Sequence, residues 1–182
     1  MPDRQVDDDP LSFDDESTGP KIDAAARPGE VWRLLAAATW IAQGKVTAPR
    51  VIYEFYDASC SYCQRFGADA APWVKSGKLQ VRYIPVGFLE ADSAAKAAAL
   101  LAVADPATAL RNYMDAWPHG GLVVPLRIAA PQAAALEANL QLMRDLGLEI
   151  VPGIVIRNAD GSLQLWPGLP ALADLRATLG AP

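Results

Sequence analysis

The sequence predicts an α/β fold, and three patterns carry that prediction. Residues 50–56 (RVIYEFY) form an apolar, β-rich run that reads as a buried central strand. A helical stretch over 61–76 and an alternating, β-branched segment over 79–86 follow it, giving a β-α-β unit. After a long alanine-rich helical block over 91–147, residues 153–157 and 162–166 flank an Asn158–Gly161 turn and precede a closing helix over 170–179, giving β-β-α.

Each element has a local cause. Residues 1–29 are rich in Asp, Pro and Gly, with few large apolar groups. They bury too little surface to offset ordering entropy and are read as an acidic flexible tail or linker, with an ordered domain over 30–182. Val31, Leu34, Leu35, Ala38 and Ile41 recur at helical spacing, and Gly44 supplies a stop. Pro72 falls inside the 61–76 helix, where it removes a backbone hydrogen bond, and Ser76-Gly77 ends that helix. In the helical block, Asp92 or Ser93 is placed to cap a helix running through Val103. Pro106 suits the first turn of a shorter helix. Residues 118–121 (PHGG) break the chain, and Pro131 opens a third helix that ends at Gly147.

Composition excludes several classes. A hydrophobic content of 52% is enough for a sizeable core, and no apolar run approaches the roughly 18 residues that a spanning helix needs. The net charge of −5 resides in the first 30 residues, which hold nine acids against three bases. A near-neutral body without a basic stripe argues against nucleic-acid binding. Met1 is followed by polar residues without a basic start and apolar run, so no signal peptide is read.

The two cysteines, Cys60 and Cys63, stand in CSYC directly after the central strand. A strand running into a CxxC pair is the mark of a thioredoxin-like redox site. Cys60 is placed as the first residue of a helix, where unpaired N–H groups and the dipole favour thiolate, so it is expected to be the exposed nucleophile. Cys63, one turn on and more buried, is expected to resolve a mixed disulfide formed at Cys60. A bridge between residues this close constrains the unfolded chain little, so a purely structural disulfide is disfavoured. With His119 as the sole histidine, two cysteines fall short of the four ligands of structural zinc. No cofactor and no metal are expected.

Three further positions belong to the candidate site. Pro152, after Val151 and before the 153–157 strand, stands where a cis proline packs opposite the cysteines in such folds; the alternative is an ordinary trans proline opening a strand. Glu54 interrupts the central strand six residues before Cys60. Buried there, its carboxyl has a raised pKa and can relay a proton for Cys63; the alternative is that strand alternation turns it to water. Tyr62, between the cysteines, either covers the sulfur or is a surface aromatic. His119 reads as a loop residue. The tryptophans read as packing, with Trp73 and Trp166 as candidates to line a substrate groove.

Several segments then resemble one family. Residues 38–45 (ATWIAQGK), 48–50 (APR), 60–63 (CSYC), 72–78 (PWVKSGK), 104–107 (ADPA) and 168–170 (GLP) are similar, in order, to DsbG-like thiol:disulfide interchange proteins of the DsbC/DsbG group within the thioredoxin superfamily. The likeness runs from about residue 31 to 180. It implies a thioredoxin fold with a helical insertion between the second core strand and the cis-proline strand. It also implies a periplasmic setting, Cys60 and Cys63 as the redox pair, and Pro152 as the cis proline; Tyr62, Val151 and Pro152 are the expected substrate-binding residues. Family members act on protein thiol and disulfide clients as isomerases or reductases, and a membrane reductase of the DsbD kind keeps them reduced. Three departures stand out. Residues 1–30 are too short and polar for the family's N-terminal dimerisation domain, so a monomer is expected. Glu54 replaces a usually apolar residue, and Val151 replaces a usual threonine; both are closer to DsbA. The expected function is therefore DsbG-like reduction or isomerisation, with a DsbA-like dithiol oxidase, a non-catalytic binding module or a zinc-holding scaffold as alternatives.

Overall fold

The computed structural model describes residues 22–182; most of the acidic segment expected over 1–29 lies outside them. A five-stranded sheet in the order β1-β3-β2-β4-β5 organises the described residues. Its centre is β2 (Arg50–Asp57), which pairs in parallel with β3 (Leu79–Val86) and antiparallel with β4 (Gly153–Arg157). From Ile52 to Asp57 every β2 residue is buried, because both faces of the strand are covered. β5 (Leu163–Pro167) extends the β4 side as an antiparallel hairpin partner.

The parallel β2–β3 pair needs a crossover, which α2 (Ser61–Lys75) provides. This helix continues through Pro72, and its apolar stripe of Cys63, Phe66, Ala70 and Trp73 is buried. Between β3 and β4 come α3 (Ser93–Ala102), α4 (Pro106–Asp115) and α5 (Ala130–Asp145), the expected helical insertion. α4 starts as its sequence predicts: Asp105 accepts the Thr108 amide at 3.0 Å, with Pro106 in the first turn. The terminal α6 (Leu172–Leu179) buries Leu175, and the chain beyond it accepts a 2.9 Å hydrogen bond from the Trp73 indole at Gly180 O.

The first helix differs from its expected form. α1 spans Pro28–Ala37, and the chain then turns into an edge strand, β1 (Ile41–Gln43), antiparallel to β3. Ile41, expected on the helix, instead pairs with Tyr83. The backbone N–H and C=O groups of β3's open edge outcompete helix continuation, and residues 38–40 make the corner. Gly44 (φ +100°) ends the strand; a side chain there would stand 2.4 Å from Leu79 O. Asn139 of α5 holds the corner from inside: its side-chain amide donates to Thr39 O (3.0 Å) and Pro85 O (2.8 Å).

Candidate active site

β2 delivers the chain to the start of α2. Residues 57–60 form the link, tied by the Cys60 amide donating to Asp57 O at 3.0 Å. Cys60 takes the N-cap position in extended conformation (φ −83°, ψ 112°). Its Sγ accepts the Cys63 amide at 3.2 Å, as a capping side chain does. Cys60 is therefore the residue before the helix, one step earlier than expected, and the geometry aims its sulfur at the helix N-terminus. It is 4% exposed, against the expectation of an open nucleophile; Cys63 is fully buried. On the other side, the Cys60 thiol lies 3.6 Å from Val151 O. The Val151–Pro152 bond is cis, as the order of elements predicts, and this turn places Val151 over the sulfur.

The two sulfurs differ in kind. The Cys60 pKa is lowered from 9.0 to about 7, chiefly because the Cys63 thiol donates to it. Burial opposes that shift, and the Cys63 and Tyr62 amides add to it. The Cys63 pKa is pushed far up, first by burial and then by the neighbouring Cys60 and Glu54. At neutral pH Cys60 is thus about half thiolate, while Cys63 stays a thiol.

Glu54 is fully buried, so the wet-face alternative is excluded. Neither carboxyl oxygen has a hydrogen-bond partner among the described residues. Burial raises its pKa well above 4.5; interaction with the Cys63 thiol offsets part of the rise, and the Cys60 charge adds to it. A buried carboxyl with a raised pKa next to the Cys63 thiol is a group able to exchange a proton with it.

Asp57, which sequence reasoning passed over, is the anchor of the loop. Its Oδ1 accepts the Ser59 amide (2.9 Å) and the Ser93 hydroxyl (2.8 Å), and its Oδ2 accepts the amides of Phe88 (2.9 Å) and Leu89 (3.2 Å). One carboxylate so joins the cysteine loop, the β3–α3 connection and the start of α3. Only the local bond, the Ser59 amide donating to Asp57, was within reach of the sequence; the partners at 88, 89 and 93 are not. Tyr113 of α4 adds a 2.8 Å bond from its hydroxyl to Ala58 O.

Residues 40–181 match the family model of the thioredoxin-like domain. The chain belongs to the thioredoxin-like family. It is 40% identical over 151 residues to the thiol:disulfide interchange protein DsbG of Pseudomonas aeruginosa, covering 83% of this chain and 59% of that protein. Identity to DsbG of Escherichia coli is 37% over 151 residues, covering 83% and 61%. The chain therefore spans about three fifths of the length of these curated relatives. Among solved structures, Proteus mirabilis ScsC in a compact conformation matches with a TM-score of 0.70 at 22% identity, over 91% of this chain and 81% of that one. The thiol-disulfide exchange protein alpha-DsbA2 from Wolbachia pipientis matches with a TM-score of 0.62 at 20% identity, over 86% and 94%. At such identities the structural likeness concerns the fold.

Within this thioredoxin-like chain, the structure brings Cys60, Cys63, Glu54, Val151 and Pro152 together. Tyr62 sits beside them in the sequence, with its side chain 64% exposed. His119 stands apart in the turn after α4. Trp73 is a packing residue, 2% exposed, and lines no groove; Trp166 is half-buried on β5, opposite Ile154. Among the described residues no cluster of three or more His, Cys, Asp or Glu is placed to hold a metal ion, and no helix is long and apolar enough to cross a membrane.

Proposed function

We propose that this chain is a thiol–disulfide oxidoreductase for protein substrates, working in the periplasm in the DsbG-like, reducing or isomerising direction. The observation that carries this reading is the Cys60 sulfur, held between the Cys63 amide and Val151 O, with its pKa lowered to about 7. A thiol of that acidity is partly ionised at neutral pH and its thiolate is still a good nucleophile, whereas strongly oxidising members of the fold hold theirs near about 3.5.

The chemistry runs in two displacements. Cys60 thiolate attacks one sulfur of a client disulfide, forming a mixed disulfide and releasing the other client sulfur as thiolate. Cys63 then gives its proton to the ionised carboxylate of Glu54 and attacks Cys60 Sγ. The client leaves reduced by two electrons, and Cys60–Cys63 is left as a disulfide. In the isomerising mode the released client thiolate attacks again before Cys63 does. Restoring the dithiol requires two electrons from a dithiol reductant, for which a membrane reductase of the DsbD kind is the fitting class.

The client lies against Val151 and Pro152. Exposed apolar side chains stand on the neighbouring segments: Tyr62 follows Cys60, Ile150 precedes Val151, and Phe88 and Leu89 donate their amides to Asp57 of the cysteine loop. They suit a locally unfolded client whose own apolar residues are accessible. An oxidase reading draws on Glu54 and Val151, and the direction of electron flow separates the two.

The test is disulfide exchange with a reduced or scrambled protein client. Cys60→Ser is expected to abolish it, and Cys63→Ala to accumulate a covalent client adduct through Cys60. Turnover retained in Cys60→Ser would overturn the mechanism. A reduction potential as oxidising as about −120 mV would transfer the assignment to the oxidase.

A further inference from the structure

Glu54, Tyr56 and Tyr83 share one face of the sheet. Glu54 and Tyr83 are register partners across β2 and β3, and Tyr56 follows Glu54 by two residues. α2 covers this face with Cys63, Gln64 and Gly67. The Tyr83 ring reaches from the level of Glu54 up to the helix: a Cβ placed on Gly67 would stand 3.4 Å from Tyr83 Oη. The ring also packs edge-on against Tyr56, at 5.5 Å between centroids.

On the far side of Tyr83 and Gln64 is a cavity of about 340 Å³ between α2, α4 and the β1–β3 edge. Gln64, Gly67 and Tyr83 line its inner wall, and Lys75, Arg111 and Asp115 bring charge to it. It has room for several water molecules. Its inner wall carries unmatched polar groups. Gln64 spends its amide nitrogen on Tyr56 Oη (2.8 Å), while its Oε1 is buried without a donor, as are both oxygens of Glu54. The Tyr83 hydroxyl makes no hydrogen bond to another described residue. Buried polar groups in native structures find a partner in protein or water; Glu54 itself does not line the cavity, whereas Gln64 and Tyr83, the register partner of Glu54, do.

The opposite route is closed during turnover. Cys63 is fully buried, Cys60 is 4% exposed, and a client in mixed disulfide lies over Cys60 and Val151. The proton that leaves Cys63 must still reach water.

We infer that the Glu54 proton exchanges with solvent through this cavity, with Tyr83 and Gln64 as the positioning residues that line its passage. The inference rests on the reading of Glu54 as the proton acceptor for Cys63. One proton passes from Cys63 Sγ to Glu54 and on to cavity water; no electrons move in this relay. Tyr83, by donating toward the ionised carboxylate or to water between them, favours the charged form that accepts the proton. The titratable groups facing Glu54 are Cys60 and Cys63 from the helix side and Tyr56 and Tyr83 from the sheet; β4 presents apolar Ile154. Lys75, Arg111 and Asp115 act from across the cavity.

The experiment uses the aromatic disulfide dithiobis-nitrobenzoate on the reduced full chain. Cys60 captures one aryl thiol and releases the first equivalent of aryl thiolate; Cys63 displaces the second, and that release is timed against pH. In the unsubstituted protein its rate rises with ionisation of the carboxyl and then levels off. In Tyr83→Phe and in Gln64→Met the inflection moves up by about one pH unit, so release slows about tenfold below it and keeps its plateau above it. The pH midpoint of Cys60 alkylation stays in place. Tyr83→Phe deletes no protein hydrogen bond and keeps the ring packing, and a thermal melt verifies its fold. Profiles that coincide with the parent in both variants, or that are scaled by one factor at every pH, overturn the inference. No second release from the parent protein overturns the Cys63–Glu54 reading instead, so the two failures are distinguishable.

Discussion

Glu54→Gln is the substitution that reports most directly on the site. Glutamine has nearly the shape of glutamate and does not titrate. The Glu54 carboxyl is fully buried, and its pKa is raised well above 4.5 by burial, with the Cys63 thiol offsetting only part of the rise. A carboxyl whose folded-state pKa exceeds its unfolded value binds its proton more tightly when folded. Its stabilising effect is complete below the unfolded value of 4.5 and is lost as pH rises through the folded value. The buried glutamine amide carries a cost of about 1–3 kcal/mol for its own missing partners, but that cost does not change with pH. The stability of Glu54→Gln relative to the parent therefore increases from about pH 4.5 upward. The limiting slope is tenfold in the folding constant per pH unit, about 1.4 kcal/mol. The rise ends at the folded-state pKa, which the break in the curve reads directly. The assay is urea unfolding of both proteins at half-unit pH steps, with a phosphine reductant holding the dithiol. Cys60 titrates in both proteins and largely subtracts out. A difference that stays flat above pH 4.5 would refute the reasoning, because Glu54 would then be solvated or paired and no use as a proton acceptor.

Other outcomes follow from the same geometry. Iodoacetamide should alkylate Cys60 with a rate midpoint near pH 7 and leave Cys63 unmodified while the protein is folded; a midpoint near 9 would contradict the Cys63 and amide hydrogen bonds to its sulfur. Asp57→Ala strands three amides and a hydroxyl that its carboxylate now accepts, and should cost about 3–5 kcal/mol in urea unfolding. A loss under about 1 kcal/mol would mean that water replaces those bonds. Gly44→Ala forces a side chain into left-handed backbone and against Leu79 O, and should cost about 2 kcal/mol or more; an unchanged unfolding midpoint would show that β1 is not held to β3 as described.

The fold was legible wherever a segment's pattern was long enough to fix its own structure. β2 and β3 showed as apolar runs, α2 by its place after the cysteine motif, and α3, α4 and α5 by helical pattern and by Pro or Asp at their starts. β1 did not, because three residues carry no period; Ile41–Gln43 is a strand only because β3 offers an unpaired edge. Asp57 was hidden for a related reason. Its four partners come from residues 59, 88, 89 and 93, and only the first is near it in sequence. Asn139 is the same case within α5: an unremarkable polar residue on a helix until Thr39 and Pro85 arrive beside it.

The amino-acid sequence alone supplied the candidate carriers of the proposed chemistry. It supplied a strand ending in CSYC, an acid six residues before the first cysteine, and a proline at the head of a later strand, because covalent order and local propensity suffice to place these. Only the tertiary structure decided how that chemistry is tuned. The burial that separates a Cys60 pKa near 7 from a Cys63 thiol held protonated comes from packing distant segments together. So do the cis turn that sets Val151 over the sulfur and the cavity reached through Gln64 and Tyr83. Desolvation and hydrogen bonding are properties of an enclosed volume, and that volume exists only once residues far apart along the chain have closed around it.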